Sequence, residues 1–255
     1  MVKFVLPGLQ STVATMLGLL AANCVAEPAY ENYRAVYRVY APGSSREIGS
    51  YQVRLNWVPE KQLYRLAGEI NFDYRAFLSR IKYDYADVVW FDSRDDVAFE
   101  AQEVNNGRKR LINGQRDPLN GGLLVKIEDG SSADRTSRFA AADYDFTTFA
   151  LRFPKACGPA SVGEKLDKRM LDPIGERIDR VSSEYVSYGS ARLPNLASST
   201  SPLCLVQTHS TRDALNRRSW ISPDGYLVYE ESPAYTLALD SSRSVLPPQR
   251  RKGTP

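Results

Sequence analysis

From residue 33 onward the chain alternates apolar and polar residues with a period of two, the pattern of strands that bury one face and wet the other. In YRAVYRVY, Tyr33, Ala35, Tyr37 and Val39 are separated by polar or basic neighbours such as Arg34 and Arg38. YQVRLNWV repeats the pattern, with Tyr51, Val53, Leu55 and Trp57 set against Gln52, Arg54 and Asn56. A longer run follows, in which Tyr64, Leu66, Gly68, Ile70, Phe72 and Tyr74 share one side, and Arg65, Glu69, Asn71, Asp73 and Arg75 the other. A strand of that length reaches roughly 30 Å or more, longer than the strands typical of sandwiches and suited to a curved sheet.

Short connections separate these runs. APGSSREIG, VPEKQ, DSRDD, VNNGRKR and NGQRDPLNGG carry the Gly, Pro, Asn and Asp of tight turns. Strands joined at hairpin distance are antiparallel, so the first half reads as a meander. In DYDFTTFALRF the period changes: Phe146, Phe149, Ala150 and Phe153 fall at helical spacing, with Asp143 or Asp145 available as N-cap. This predicts a short amphipathic helix around residues 145 to 153, covering the dry face of the sheet. Strands resume in ERIDRVSSEYVSYG, SPLCLVQTHSTR and RSWISPDGYLVYEE, where SPDG is a strong turn signal.

The expected fold is therefore all-β and mainly antiparallel: one domain over residues 27–240, a curved sheet or half-barrel with one short helix packed on it. A β-sandwich is the alternative, and would break residues 62 to 74 into two pieces in different sheets. The last fifteen residues, 241–255, read as a disordered basic tail.

The N-terminus changes the picture of where the chain works. Lys3 is the one charge in its first 26 residues, and the apolar stretch VATMLGLLAA is the length of a signal-peptide core and too short to span a bilayer. Cleavage after Ala26 places small residues, Cys24 and Ala26, where a signal peptidase reads them, and leaves a chain starting at Glu27 with no transmembrane span. The alternative is an outer-membrane lipoprotein acylated at Cys24, which the bulky Asn23 before it fits badly. Export to the periplasm is the expectation.

The whole chain carries a formal charge of +3, of which Lys3 supplies one. That balance, with no basic stripe, argues against a nucleic-acid partner. After cleavage two cysteines remain, Cys157 and Cys204; in an oxidising compartment they are expected to form one disulfide, with two buried thiols as the alternative.

Catalytic equipment is sparse. His209 is the chain's single histidine, on what looks like a strand face, with no partner motif and no nucleophile elbow. GPASVGEK, residues 158 to 165, imitates a phosphate loop but puts Glu164 where the lysine belongs and Pro159 where a backbone donor belongs. Asp92, Asp95 and Asp96 lack the spacing of a calcium loop and read as a solvated turn. No metal or cofactor is implied. Phe72, Tyr74, Phe77, Tyr83, Tyr85 and Trp90 crowd around the long strand and its successor, and read either as core or as the lining of a greasy cleft.

Taken together, YRVYAPGSSREIG, the long alternating strands, IKYDYADVVWFD, DYDFTTFALRF and RRSWISPDGYLVYEE resemble uncharacterised families of secreted β-sheet proteins of Gram-negative bacteria, catalogued as domains of unknown function. The resemblance spans about residues 33 to 235, and departs at the inserted APGSSR. It implies a periplasmic protein whose sheet curls like the half-barrel of lipoprotein-localisation carriers, and it implies no catalytic residues. The functional expectation is a non-enzymatic periplasmic protein holding a lipid or other apolar or amphipathic envelope molecule. The alternatives are an envelope scaffold with a filled core and a carboxylate-dependent hydrolase.

Overall fold

A computed structural model of the chain describes residues 30–76, 79–92, 96–130, 133–196, 201–211 and 216–248. The signal-like segment with Cys24, the aromatic Phe77, Asp95 and the last residues of the expected tail lie outside them.

Among the described residues fifteen strands form one sheet. In the first half β1 (Tyr33–Tyr40), β2 (Glu47–Val58), β3 (Leu63–Ala76), β4 (Ser79–Phe91), β5 (Asp96–Asn105), β6 (Arg108–Arg116), β7 (Leu123–Asp129) and β8 (Arg135–Phe139) run as a meander. The second half comprises β9 (Phe146–Thr147), β10 (Lys165–Asp172), β11 (Arg177–Gly189), β12 (Leu203–Ser210), β13 (Arg217–Ile221), β14 (Leu227–Glu231) and β15 (Thr236–Leu239). β15 returns to pair with β1, so the spatial order runs from β8 through β1 and β15 to β9. All pairs are antiparallel except β9 with β10, which meet only at Phe146–Met170 and Thr147–Leu171.

Turn chemistry fixes the hairpins. Between β5 and β6, Asn106 and Gly107 both take positive φ (50° and 87°), the two-residue turn whose twist matches that of the flanking strands. β3 stays a single strand of 14 residues, paired without interruption to β4, which excludes the two-sheet sandwich.

The sheet curls on itself without closing. One core cluster takes inward residues from both halves: Val39, Leu55, Leu66, Val89, Ile112 and Ile127 from the meander, and Leu171, Tyr226 and Leu237 from the return. A smaller cluster lies on the outer side, where Leu193 in the loop after β11 covers Tyr40, Trp220 and Tyr229.

The expected helix is smaller than its spacing suggested: β9 is followed by a single five-residue 3-10 turn, Thr148–Arg152. Asp145 cannot cap a longer helix, because its carboxylate already accepts the Arg169 backbone N–H at 2.7 Å and the Arg169 guanidinium. The aromatic spacing serves packing instead. Phe149 is fully buried with its ring 5.1 Å from Phe99, and Phe153 lies 4.5 Å from Phe91, so the turn plugs one end of the curl.

The chain also stays ordered past β15. Val245 exchanges backbone hydrogen bonds with Arg34, and the Tyr226 hydroxyl donates to the Pro247 carbonyl. The first residues of the segment expected to be a tail thus run along β1.

Candidate ligand-binding face

Register decides which aromatic residues meet. Phe72 stands opposite Tyr83 and Ile70 opposite Tyr85, so these side chains, with Tyr74, share the inner face of β3 and β4. Their rings form a ladder: Phe72 and Tyr83 stack at 5.2 Å, Tyr83 and Tyr85 lie 6.4 Å apart, and Tyr74 tilts against Phe72 at 6.2 Å. Phe72, Tyr74 and Tyr83 are half-buried, whereas Tyr85 belongs to the closed core. Trp90 is not part of the ladder. As the neighbour of inward Phe91 it points to the outer face, where the Lys61 ammonium sits 4.0 Å over its ring.

Beneath the ladder lies a polar layer. Arg152, carried inward by the 3-10 turn, grips Asp87 with both terminal nitrogens, at 2.7 and 2.6 Å. The Tyr85 hydroxyl donates to the same carboxylate at 2.8 Å, and the Tyr33 hydroxyl donates to the Arg152 carbonyl at 2.7 Å. Gly68 faces Asp87 across the ladder, and a Cβ there would stand 2.5 Å from an Arg152 nitrogen. The alternation thus carries a glycine at an inward position because a guanidinium occupies the side-chain space. Sequence reasoning missed this pair; the signal was Gly68 and Asp87, two departures from apolar character on inward positions of adjacent strands.

At the β3–β4 end the inner face is mixed. Burial, followed by the charge of Glu103, pushes the Tyr83 phenol well above the ordinary value, so its hydroxyl stays neutral. Arg110 donates to Glu103 at 2.9 Å and to the Ile174 carbonyl at 3.2 Å. In the returning half, the buried Glu230 accepts from Ser219 at 3.1 Å and pairs with Arg217 at 3.6 Å. Burial and Glu230 also raise the phenol of Tyr235.

The other sequence candidates sit elsewhere. Cys157 and Cys204 form a disulfide that ties the segment after the plug to β12. His209 is exposed on β12, opposite Ser182. Asp92 pairs with Arg116 at 3.7 Å. In the phosphate-loop mimic the backbone N–H groups of Ser161, Val162, Gly163 and Glu164 all donate to backbone carbonyls, leaving none of them to cradle a phosphate. A recess of about 380 Å³ on β3–β5 gathers Glu69, Asp73, Asp84 and Lys82. Glu69 and Asp73 are exposed, and a bidentate hydrogen bond from Arg80 holds the Asp73 carboxyl below the usual range. That is the opposite of the raised value a general acid needs. Among the described residues no three His, Cys, Asp or Glu side chains converge as metal ligands, and no helix is long and apolar enough to cross a membrane.

No family model, curated protein or solved structure matches the chain.

Proposed function

We propose that the chain is a non-enzymatic exported protein of the bacterial cell envelope that holds the apolar part of an amphipathic molecule against the inner aromatic face of β3 and β4. One contrast carries the reading. On the same two strands the inward residues near the plug, Leu66 and Val89, are sealed from solvent, whereas Phe72, Tyr74 and Tyr83 are only half covered. Large rings left partly bare, beside buried polar groups, suit a ligand with an apolar body and a polar end. The Cys157–Cys204 bond supports an oxidising compartment, as does the signal-like N-terminus.

The test is native mass spectrometry and lipid extraction of protein purified from the periplasm, followed by displacement of a fluorescent acyl probe. A co-purifying amphiphile and a saturable site are expected, on a chain beginning at Glu27; a mass for a diacylated Cys24 would make it an outer-membrane lipoprotein instead. No co-purifying molecule and no saturable probe site would favour a second reading, an envelope scaffold. The complete burial of Phe99, Phe149, Leu55 and Ile112 around the plug favours that reading at the opposite end of the curl.

A further inference from the structure

The far end of the β3–β4 hairpin is basic on its outer face and apolar on its inner one. Register sets Arg75 directly opposite Arg80, and Lys82 opposite Asp73. Like charges facing each other weaken a sheet, and the carboxylate beside them is already taken. Arg80 holds Asp73 with two hydrogen bonds, while among the described residues Arg75 and Lys82 act on it only through space. The next hairpin enlarges the patch. Asn106 donates its backbone N–H to the Lys82 carbonyl and accepts the Lys82 backbone N–H on its side chain, both at 2.8 Å, which locks the β5–β6 turn against β4. Exposed Lys109, opposite Val104, thereby joins the same outer face. Arg75, Arg80, Lys82 and Lys109 outnumber the carboxylates near them, Asp73 and Asp84. On the inner face of the same end Tyr74 stands opposite Ile81, and both are half-buried. A soluble acidic peptide would satisfy the cations and leave that apolar pair bare, whereas the interface of an anionic bilayer answers both. We propose that this end of the curl docks on the anionic phospholipid surface of a membrane, with Arg75 and Arg80 on lipid phosphates and Tyr74 and Ile81 at the boundary of the acyl chains. The inference rests on the proposed location in the cell envelope, not on the proposed cargo.

The experiment is flotation of the full exported, oxidised protein with vesicles of phosphatidylcholine alone or with about 30 mol% phosphatidylglycerol. Binding to the anionic vesicles is expected to be at least about tenfold tighter than to the neutral ones, and to fall as salt rises. R75Q/K109Q removes two exposed cations and is expected to weaken binding about tenfold or more, since each basic residue at an anionic surface is worth roughly fivefold. R54Q/K165Q removes the same charge from exposed positions away from this end and should stay within about twofold of the unaltered protein. A fluorophore on I81C should report an apolar environment on anionic vesicles, and the same fluorophore on K165C should not. Equal binding to neutral vesicles, equal loss in the two double variants, or an unchanged signal at I81C each overturns docking by this end. Polyglutamate that competes as well as the anionic vesicles overturns it in favour of an acidic protein partner. A saturable acyl-probe site on a protein that ignores vesicles removes the docking and leaves the binding face standing; vesicle binding without a probe site supports the docking and removes the cargo.

Discussion

Arg135 on β8 pairs with Glu176, in the turn between β10 and β11, at 2.8 Å, and Ser137 donates to the same carboxylate at 2.5 Å. Side chains therefore join the two ends of the sheet where the backbone ladder does not. The edges explain why. RTSRF on β8 and KLDKR in the first part of β10 both carry more positive than negative charge, so pairing them would set like charges opposite each other. Glu176 also holds a φ of 52°, in the left-handed region that disfavours a side chain, and its two contacts offset that strain.

Replacing Glu176 should therefore loosen the curl locally. E176A is expected to cost about 1–2 kcal/mol, with the half-exposed Arg135 contributing the smaller share and the Ser137 hydrogen bond the larger. Amide exchange in β8 should accelerate while β3 and β4 keep their protection. Uniform acceleration across the sheet would show that Glu176 is not a local clasp.

The Asp87–Arg152 pair is the larger commitment, because Asp87 is fully buried and Arg152 nearly so. Removing one partner strands the other charge in the interior: D87L is expected to cost about 3–5 kcal/mol, and R152M a comparable amount. The double variant D87L/R152M should be far less damaging than the two single losses combined. Denaturant unfolding in a double-mutant cycle reads this directly, and simple additivity would mean that the pair is not coupled.

The outer and inner faces were legible in the sequence because a period of two has one solution on a half-buried strand. Tyr64 to Tyr74 face inward, as the alternation requires, and Trp90 could have been removed from the aromatic group by parity alone, since it adjoins inward Phe91. The plug was not legible in detail. Phe149 and Phe153 sit at helical spacing, but the contacts that select a 3-10 turn come from Phe99, Phe91 and Asp87, residues that the sequence places 50 or more positions away. Likewise, neither Glu103 nor Arg110 stands out in a strand of mixed charge, and only register brings them beside Tyr83 and Tyr85.

The disulfide closes a sequence separation of 47 residues, and limiting the unfolded chain to that extent is worth about 4 kcal/mol. Reduction, or C157S/C204S, should lower the unfolding midpoint accordingly and free the segment following the plug from β12. In the oxidised, denatured protein these two cysteines should resist alkylation. Equal midpoints with and without reductant would show that the bond adds nothing to stability.

Acid should weaken the seam at which β15 and its return meet β1. Asp240 donates its backbone N–H to Val36, and its carboxylate accepts from Ser242 at 2.6 Å and from Arg38 at 3.2 Å. The Ser242 hydroxyl first, and then Arg38, hold the carboxyl below its ordinary value of 3.8. A carboxyl lowered in the folded state binds protons more readily when unfolded. Its stabilisation is therefore present above the unfolded value, about 3.9, and disappears as pH falls through the lower folded value. Asp179 acts in the opposite sense, since burial raises its carboxyl, so the pH curve of the unaltered protein mixes the two. The difference between the unaltered protein and D240N isolates Asp240. D240N should be the less stable at pH 7, by a gap that narrows below about pH 4 as the native aspartate protonates. Urea unfolding at pH 7, 5, 4 and 3 measures that gap, and a constant value across the series would show that Asp240 makes no contribution to acid sensitivity.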